Sequence, residues 1–210
     1  MNRILIFANG ELPDLEKTRA LLLPEDFILC ADGGTHHALA LGLTPNVIMG
    51  DFDSFDINRS KMDVKIIQFP RDKNETDLEL TIQYALDLNP KQIVIIGALG
   101  GRLDQTLGNL ALLTDSKLSA CDIRLDDGVE EILFCKTQAK IQGRSGDLLS
   151  LIPWGGEVTG VETENLKWPL FREVLYPNKT RGISNEMLGD EASIKIDSGN
   201  VLIVHRRMNH

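Results

Sequence analysis

The run Ile93-Val94-Ile95-Ile96-Gly97-Ala98-Leu99-Gly100-Gly101-Arg102-Leu103-Asp104 decides the fold. Four consecutive apolar, mostly β-branched residues read as a strand buried on both faces, the kind found in parallel sheets. The strand opens directly into a glycine-rich turn, and residues 105–113 follow with helical spacing. A buried strand, a loop and then a helix form the repeating unit of an open α/β sheet. In such sheets the loops at the carboxyl ends of the strands bind ligands.

Working outward, the same unit recurs. Residues 4–8 are an apolar run ending in the turn signal Asn9-Gly10. Residues 27–31 end at Asp32-Gly33-Gly34, and a helical stretch over 35–41 stops at Gly42. Residues 47–49 enter Gly50-Asp51-Phe52-Asp53-Ser54, and residues 65–69 lead through a polar loop into a helix over 75–88. Leu78, Ile82, Ala85 and Leu86 fall on one face of that helix. Beyond about residue 136 the helical period fades. Short alternating segments separated by Gly, Pro, Asn and Asp read instead as an antiparallel β-sandwich. The expected fold is α/β: a mostly parallel, Rossmann-like sheet with helices over residues 1–138, then a β-sandwich over 139–210.

Composition narrows the function. The 210 residues carry a net charge of −9, which argues against nucleic acid or an anionic membrane as partner, since both require a basic face. No apolar run reaches the ~18 residues of a membrane span, and residues 1–8 do not have the form of a signal peptide. The three cysteines form neither a disulfide framework nor a zinc motif; Cys30 and Cys135 sit in apolar runs and read as core residues. The expected location is the reducing cytoplasm.

The acidic loops carry the chemistry. Asp32, the pair Asp51 and Asp53, Asp77 and Asp104 lie at strand ends or helix starts beside Gly, Ser or Thr. A lone Asp in such a place is usually a turn or cap residue, and Asp77 also suits the dipole of its helix. As a set at one sheet edge, these residues repel each other unless a cation is present, and hard carboxylate ligands suit Mg²⁺. Gly33-Gly34 and Gly100-Gly101 permit close backbone approach and positive φ, as anion-cradling loops require, or are simply tight turns. Arg102 follows the second pair, where its planar fork could grip a phosphate. Neither a Walker motif nor a dinucleotide fingerprint is present.

With these residues in place, the chain resembles the thiamine pyrophosphokinase family. Six elements carry the likeness, in family order over residues 31–186: Ala31-Asp32-Gly33-Gly34, Gly50-Asp51-Phe52-Asp53-Ser54, Lys73-Asn74-Glu75-Thr76-Asp77, Gly97 to Gln105, Leu166-Lys167-Trp168-Pro169-Leu170, and Ile183-Ser184-Asn185-Glu186. Any one is weak, but six in order are specific. The resemblance implies an α/β catalytic domain that binds ATP and Mg²⁺, and a β-sandwich domain that binds thiamine. It also implies a homodimer with its active sites at the subunit interface, and thiamine pyrophosphate and AMP as products.

Carried over to this sequence, Asp51, Asp53, Asp77 and Asp104 would hold the metal, while Asp32 supports the site or orients the thiamine hydroxyl. Lys73 and Arg102 would neutralise phosphate charge. Gly33, Gly34, Ser54, Thr76, Gly101, Gln105 and Asn109 would complete the nucleotide site, and Trp168, Ser184 and Asn185 would line the thiamine pocket. Two alternatives keep part of this picture: pyrophosphoryl transfer to a hydroxymethyl pterin, and a non-catalytic nucleotide sensor.

Overall fold

The computed structural model describes residues 2–52 and 64–209. Asp53 and Ser54 lie outside the described residues. The chain divides into two compact units, Met1–Gly128 and Val129–His210. The division precedes the strand Glu130–Cys135, whereas the sequence reading placed it after that strand, at 138/139.

In the first unit six strands form a parallel array. They are β1 (Arg3–Phe7), β2 (Phe27–Ala31), β3 (Val47–Gly50), β4 (Lys65–Gln68), β5 (Gln92–Ile96) and β6 (Asp122–Asp126), in the spatial order β6-β5-β1-β2-β3-β4. Alternate side chains of a strand point to opposite faces. Leu5, Phe7, Cys30, Ile48, Val94 and Ile96 form one core cluster, joined by Ala38 and Leu41 of the second helical segment. Their neighbours Ile4, Ile6, Leu29, Ile93 and Ile95 are equally buried, so both faces are covered and the apolar runs are continuous. Burial pushes the Cys30 thiol up to about 12, in keeping with its role as a small apolar core residue.

Among the described residues, α-helices α1 (Leu15–Arg19), α2 (Gly34–Ala40), α3 (Asp77–Asp87) and α4 (Leu103–Leu112) connect the strands. Asp14 caps α1 by accepting from the Glu16 and Lys17 amides, and Thr76 caps α3 by accepting from the Glu79 amide at 3.1 Å. Leu78, Ile82 and Ala85 bury the inner face of α3, as their spacing predicts. The register matters for function. Phe7 pairs with both Cys30 and Ile96, and Ala31 with Met49, so β1, β2, β3 and β5 end nearly flush. Their following loops therefore emerge together at one edge.

The second unit is a β-sandwich, as expected. One sheet has the order β12-β9-β14-β7, from Asn185–Glu186, Leu148–Pro153, Val201–Arg206 and Glu130–Cys135. The other has the order β11-β10-β13-β8, from Glu173–Leu175, Val158–Glu164, Glu191–Lys195 and Gln138–Gln142. All the pairings within these sheets are antiparallel. Leu149, Leu151 and Ile203 of one sheet share a core with Val161, Ala192 and Ile194 of the other. Beneath it His205, fully buried, sits between Glu131 (3.3 Å) and Asp147 (3.1 Å). Among the described residues no helix is long and apolar enough to cross a membrane.

Candidate active site

Three carboxylates converge where β2, β3 and α3 meet the flush edge. Asp32, Asp51 and Asp77 each offer an oxygen, all within 4.8 Å of one another. Asp32 directly follows β2 with φ of 41°, a left-handed conformation that Asp tolerates better than most residues. Its amide donates to the Met49 carbonyl (2.7 Å), while its own carbonyl accepts from the Thr35 amide and hydroxyl and so starts α2. Gly50 makes room for it: a Cβ there would lie 2.8 Å from the Asp32 Cβ.

Two cations partly offset the three charges. Lys73 Nζ stands 3.0 Å from Asp77, and Arg71 lies 3.9 Å from Asp51. Carboxylates gathered this closely and only partly neutralised form a hard-oxygen donor set of the kind that takes Mg²⁺. Thus Asp51 and Asp77 come together as the sequence suggests, and Asp32 stands with them. Asp104 is placed differently. It is exposed and receives a bidentate bond from the Arg102 guanidinium, at 3.1 and 2.6 Å. That contact holds its carboxyl below the usual range and raises Arg102. The two side chains are near neighbours in sequence, so this pair forms locally.

A cavity of about 580 Å³ opens on the same edge, large enough for the phosphates of a nucleotide. Asp32, Lys73, Thr76 and Asp77 line one part of it, and Gly101, Arg102, Gln105 and Asn109 another. The turn after β5 runs through Gly97, Gly100 and Gly101 with φ of 70°, 79° and 64°, conformations that only glycine adopts cheaply. The Asn109 side chain donates to the Ala98 carbonyl at 2.8 Å and ties that turn to α4.

Gly33 and Gly34 also have a packing role. A Cβ on Gly33 would lie 2.5 Å from the Asn9 side chain, and one on Gly34 would run into the Phe7 carbonyl. They permit close packing of α2 against the end of β1, while the positive φ falls on Asp32 instead.

The loop after β1 also belongs to the site. Asn9, Gly10 and Glu11 all line the cavity. Asn9-Gly10 was visible only as a turn signal, and nothing local marks Glu11. The Gly10 carbonyl is within 2.8 Å of the His37 ring, so His37 packs under the loop.

In the second unit Trp168 is half exposed, with the Lys167 ammonium 5.1 Å from its ring centre. Ser184 is exposed with φ of 56°, and its amide donates to the Ser150 hydroxyl. Asn185 is buried, and its side-chain amide bonds through both its oxygen and its nitrogen. It accepts from the Trp168 and Glu186 amides and donates to the Trp168 carbonyl. It therefore fixes the loop that presents Trp168.

A parallel sheet with an acidic, glycine-lined cleft at its carboxyl edge, joined to a β-sandwich, defines the class: a two-domain transferase of the kinase type. The model of the thiamin pyrophosphokinase catalytic domain matches residues 18–148, and that of the thiamin pyrophosphokinase vitamin B1 binding domain matches residues 136–201. The chain belongs to the thiamin pyrophosphokinase family. It is 28% identical to the thiamine pyrophosphokinase of Bacillus subtilis over 179 residues, covering 82% of this chain and 84% of that protein. It is 30% identical to thiamine pyrophosphokinase 1 of Arabidopsis thaliana over 200 residues, covering 81% and 74%. The crystal structure of a Bacillus subtilis thiamine pyrophosphokinase superposes with a TM-score of 0.88 at 25% identity, covering 99% of this chain and all of that one.

Proposed function

We infer that this chain transfers the pyrophosphoryl group of ATP to the hydroxyl of thiamine, giving thiamine pyrophosphate and AMP. The observation that carries the reading is the convergence of Asp32, Asp51 and Asp77 beside a phosphate-sized cavity. Such transfer is mostly positioning and electrostatic stabilisation, so a preorganised charged cleft meets its needs.

The thiamine hydroxyl oxygen attacks the β-phosphorus in line. The bond from that phosphorus to the bridging oxygen breaks, and AMP departs with the oxygen. Lys73 and Arg102 face the phosphates, and Arg102 does so by releasing Asp104. Asp32, Asp51 and Asp77 would hold Mg²⁺, which when bound supplies neutralising charge to the phosphate oxygens. Asp53 and Asp104 belong to the same proposed ligand set on sequence grounds. A loose transition state asks for little early deprotonation, so one of these carboxylates suffices to accept the hydroxyl proton late.

We assign thiamine to the β-sandwich, with Trp168 and Ser184 as its contacts and Asn185 as the residue that positions Trp168. The working division is a catalytic domain over 1–138 and a thiamine-binding domain over 139–210. We also propose a homodimer whose active sites lie at the subunit interface. Free cysteines suit a reducing compartment, and we assign the activity to the cytoplasm.

The test is a product assay with Mg·ATP and thiamine. AMP should appear in step with thiamine pyrophosphate, and an ATP analogue with a non-hydrolysable α–β bridge should be inert. Formation of ADP, or transfer to a hydroxymethyl pterin in preference to thiamine, would overturn the reading. Nucleotide binding without turnover would favour a sensor.

A further inference from the structure

Among the groups lining the cavity that can donate to a phosphate are the Gly101 amide, Arg102 and Lys73. In the structure each has a carboxylate of the chain's own against it. Asp104 grips Arg102 and Asp77 pairs with Lys73, both close in sequence. The third is Glu11, whose Oε1 accepts from the Gly101 amide at 3.1 Å across 90 positions of sequence. Asp77 belongs to the converging acidic set and Asp104 is a near neighbour of Arg102, but neither circumstance explains Glu11.

The contact is built rather than incidental. The Glu11 amide donates to the Leu99 carbonyl at 2.8 Å, and the Gly10 amide donates to the Gly97 carbonyl, so the loop after β1 is laced to the glycine turn. The Glu11 side chain lies flat on that turn: a Cβ at Gly100 would stand 2.7 Å from its Oε2 and 2.8 Å from its Cβ. The consecutive positive φ values of Gly100 and Gly101 leave the Gly101 amide facing this carboxylate.

We propose that Glu11 is a built-in competitor for the phosphate group of the nucleotide: its carboxylate occupies the Gly101 amide, holds the glycine turn in its binding shape, and must leave that amide when a phosphate oxygen arrives. Glu11 thereby sets the nucleotide affinity of the site as a positioning residue. The inference rests on the assignment of this cavity to the phosphates of ATP. A carboxylate already in place repels a polyphosphate, and because Glu11 is exposed the repulsion is modest and screened by salt.

Glu11→Gln tests it, since the amide oxygen can still accept from Gly101 while the charge is gone. Mg·ATP and Mg·tripolyphosphate are titrated calorimetrically into wild type and variant, and KM is measured for both substrates. The variant should bind both polyphosphates about fivefold more tightly, roughly 1 kcal/mol. KM for Mg·ATP should fall likewise while KM for thiamine holds, and the gap should narrow at about 0.5 M salt. Unchanged or weaker binding of both polyphosphates overturns the proposal and leaves Glu11 as a loop anchor. If wild type forms no AMP, the transfer reading fails instead, and the calorimetry still decides the role of Glu11.

Discussion

Asp32→Asn is the sharpest test of the acidic cluster. Asn adopts the left-handed region as readily as Asp, so the φ of 41° is kept and only charge is lost. Three carboxylate oxygens lie within 4.8 Å of one another. At an effective dielectric of about 20, each pair repels by roughly 3.5 kcal/mol at that distance. Lys73 at 3.0 Å from Asp77 and Arg71 at 3.9 Å from Asp51 return a comparable amount, the exposed Arg71 the more screened of the two, and a cation in the cluster adds attraction to all three carboxylates at once. Wild type with Mg²⁺ at ten times its Kd should gain about 1.4 kcal/mol. For a chain of this size that raises Tm by about 3–6 °C. Loss of one charged ligand, at about 2–3 kcal/mol, weakens the site by roughly 30- to 150-fold. The Mg²⁺-dependent shift at the same concentration should then almost vanish. Turnover should fall on the order of 10²-fold, as when one preorganised electrostatic group is removed. Differential scanning fluorimetry across a Mg²⁺ titration reads the first effect, and AMP release at saturating thiamine the second. A variant with a wild-type Mg²⁺ shift, or with turnover within about threefold of normal, would refute the assignment.

Two further outcomes follow from the second unit. Burial pushes the Asp147 carboxyl up, but bonds from the Met208 amide, the His205 ring and the Arg144 amide outweigh it and hold it below its usual range. Its stabilisation is therefore complete above the unfolded value near ~3.9 and lost as pH falls through the folded one. Asp147→Asn should cost about 3 kcal/mol in denaturant unfolding at pH 7, a gap that closes in acid; an equal gap at about pH 3 would contradict this. The proposed homodimer with sites at its interface predicts subunit complementation. Mixing inactive Asp77→Asn with inactive Trp168→Ala subunits should restore about a quarter of wild-type activity, because half the dimers are mixed and each carries one intact site. No recovery after subunit exchange would show that each site is built within one chain.

Local pattern determined much of this protein. Continuous apolar runs such as 27–31 and 93–96, followed by Asp32 and Gly97, specify buried parallel strands with functional loops at one edge, and the alternation beyond residue 136 specifies a sandwich. Those signals depend on neighbours within a few residues, so the chain declares them without help. The partners of each polar group are a different matter. Asp32, Asp51 and Asp77 meet because β1 lies between β5 and β2, with β3 beyond, and because the strands end flush. No periodicity encodes that order. The same arrangement brings Glu11 onto Gly101 and makes Gly33 and Gly34 packing residues, while Asp104 stays on Arg102 because that partner is only two positions away. Asn185 reads from sequence as a ligand contact; the sandwich buries it, and its amide bonds the nearest backbone, here that of Trp168, a partner that spacing along the chain does not reveal. Spacing along the chain decides the elements; only the packing of distant strands decides which charges meet.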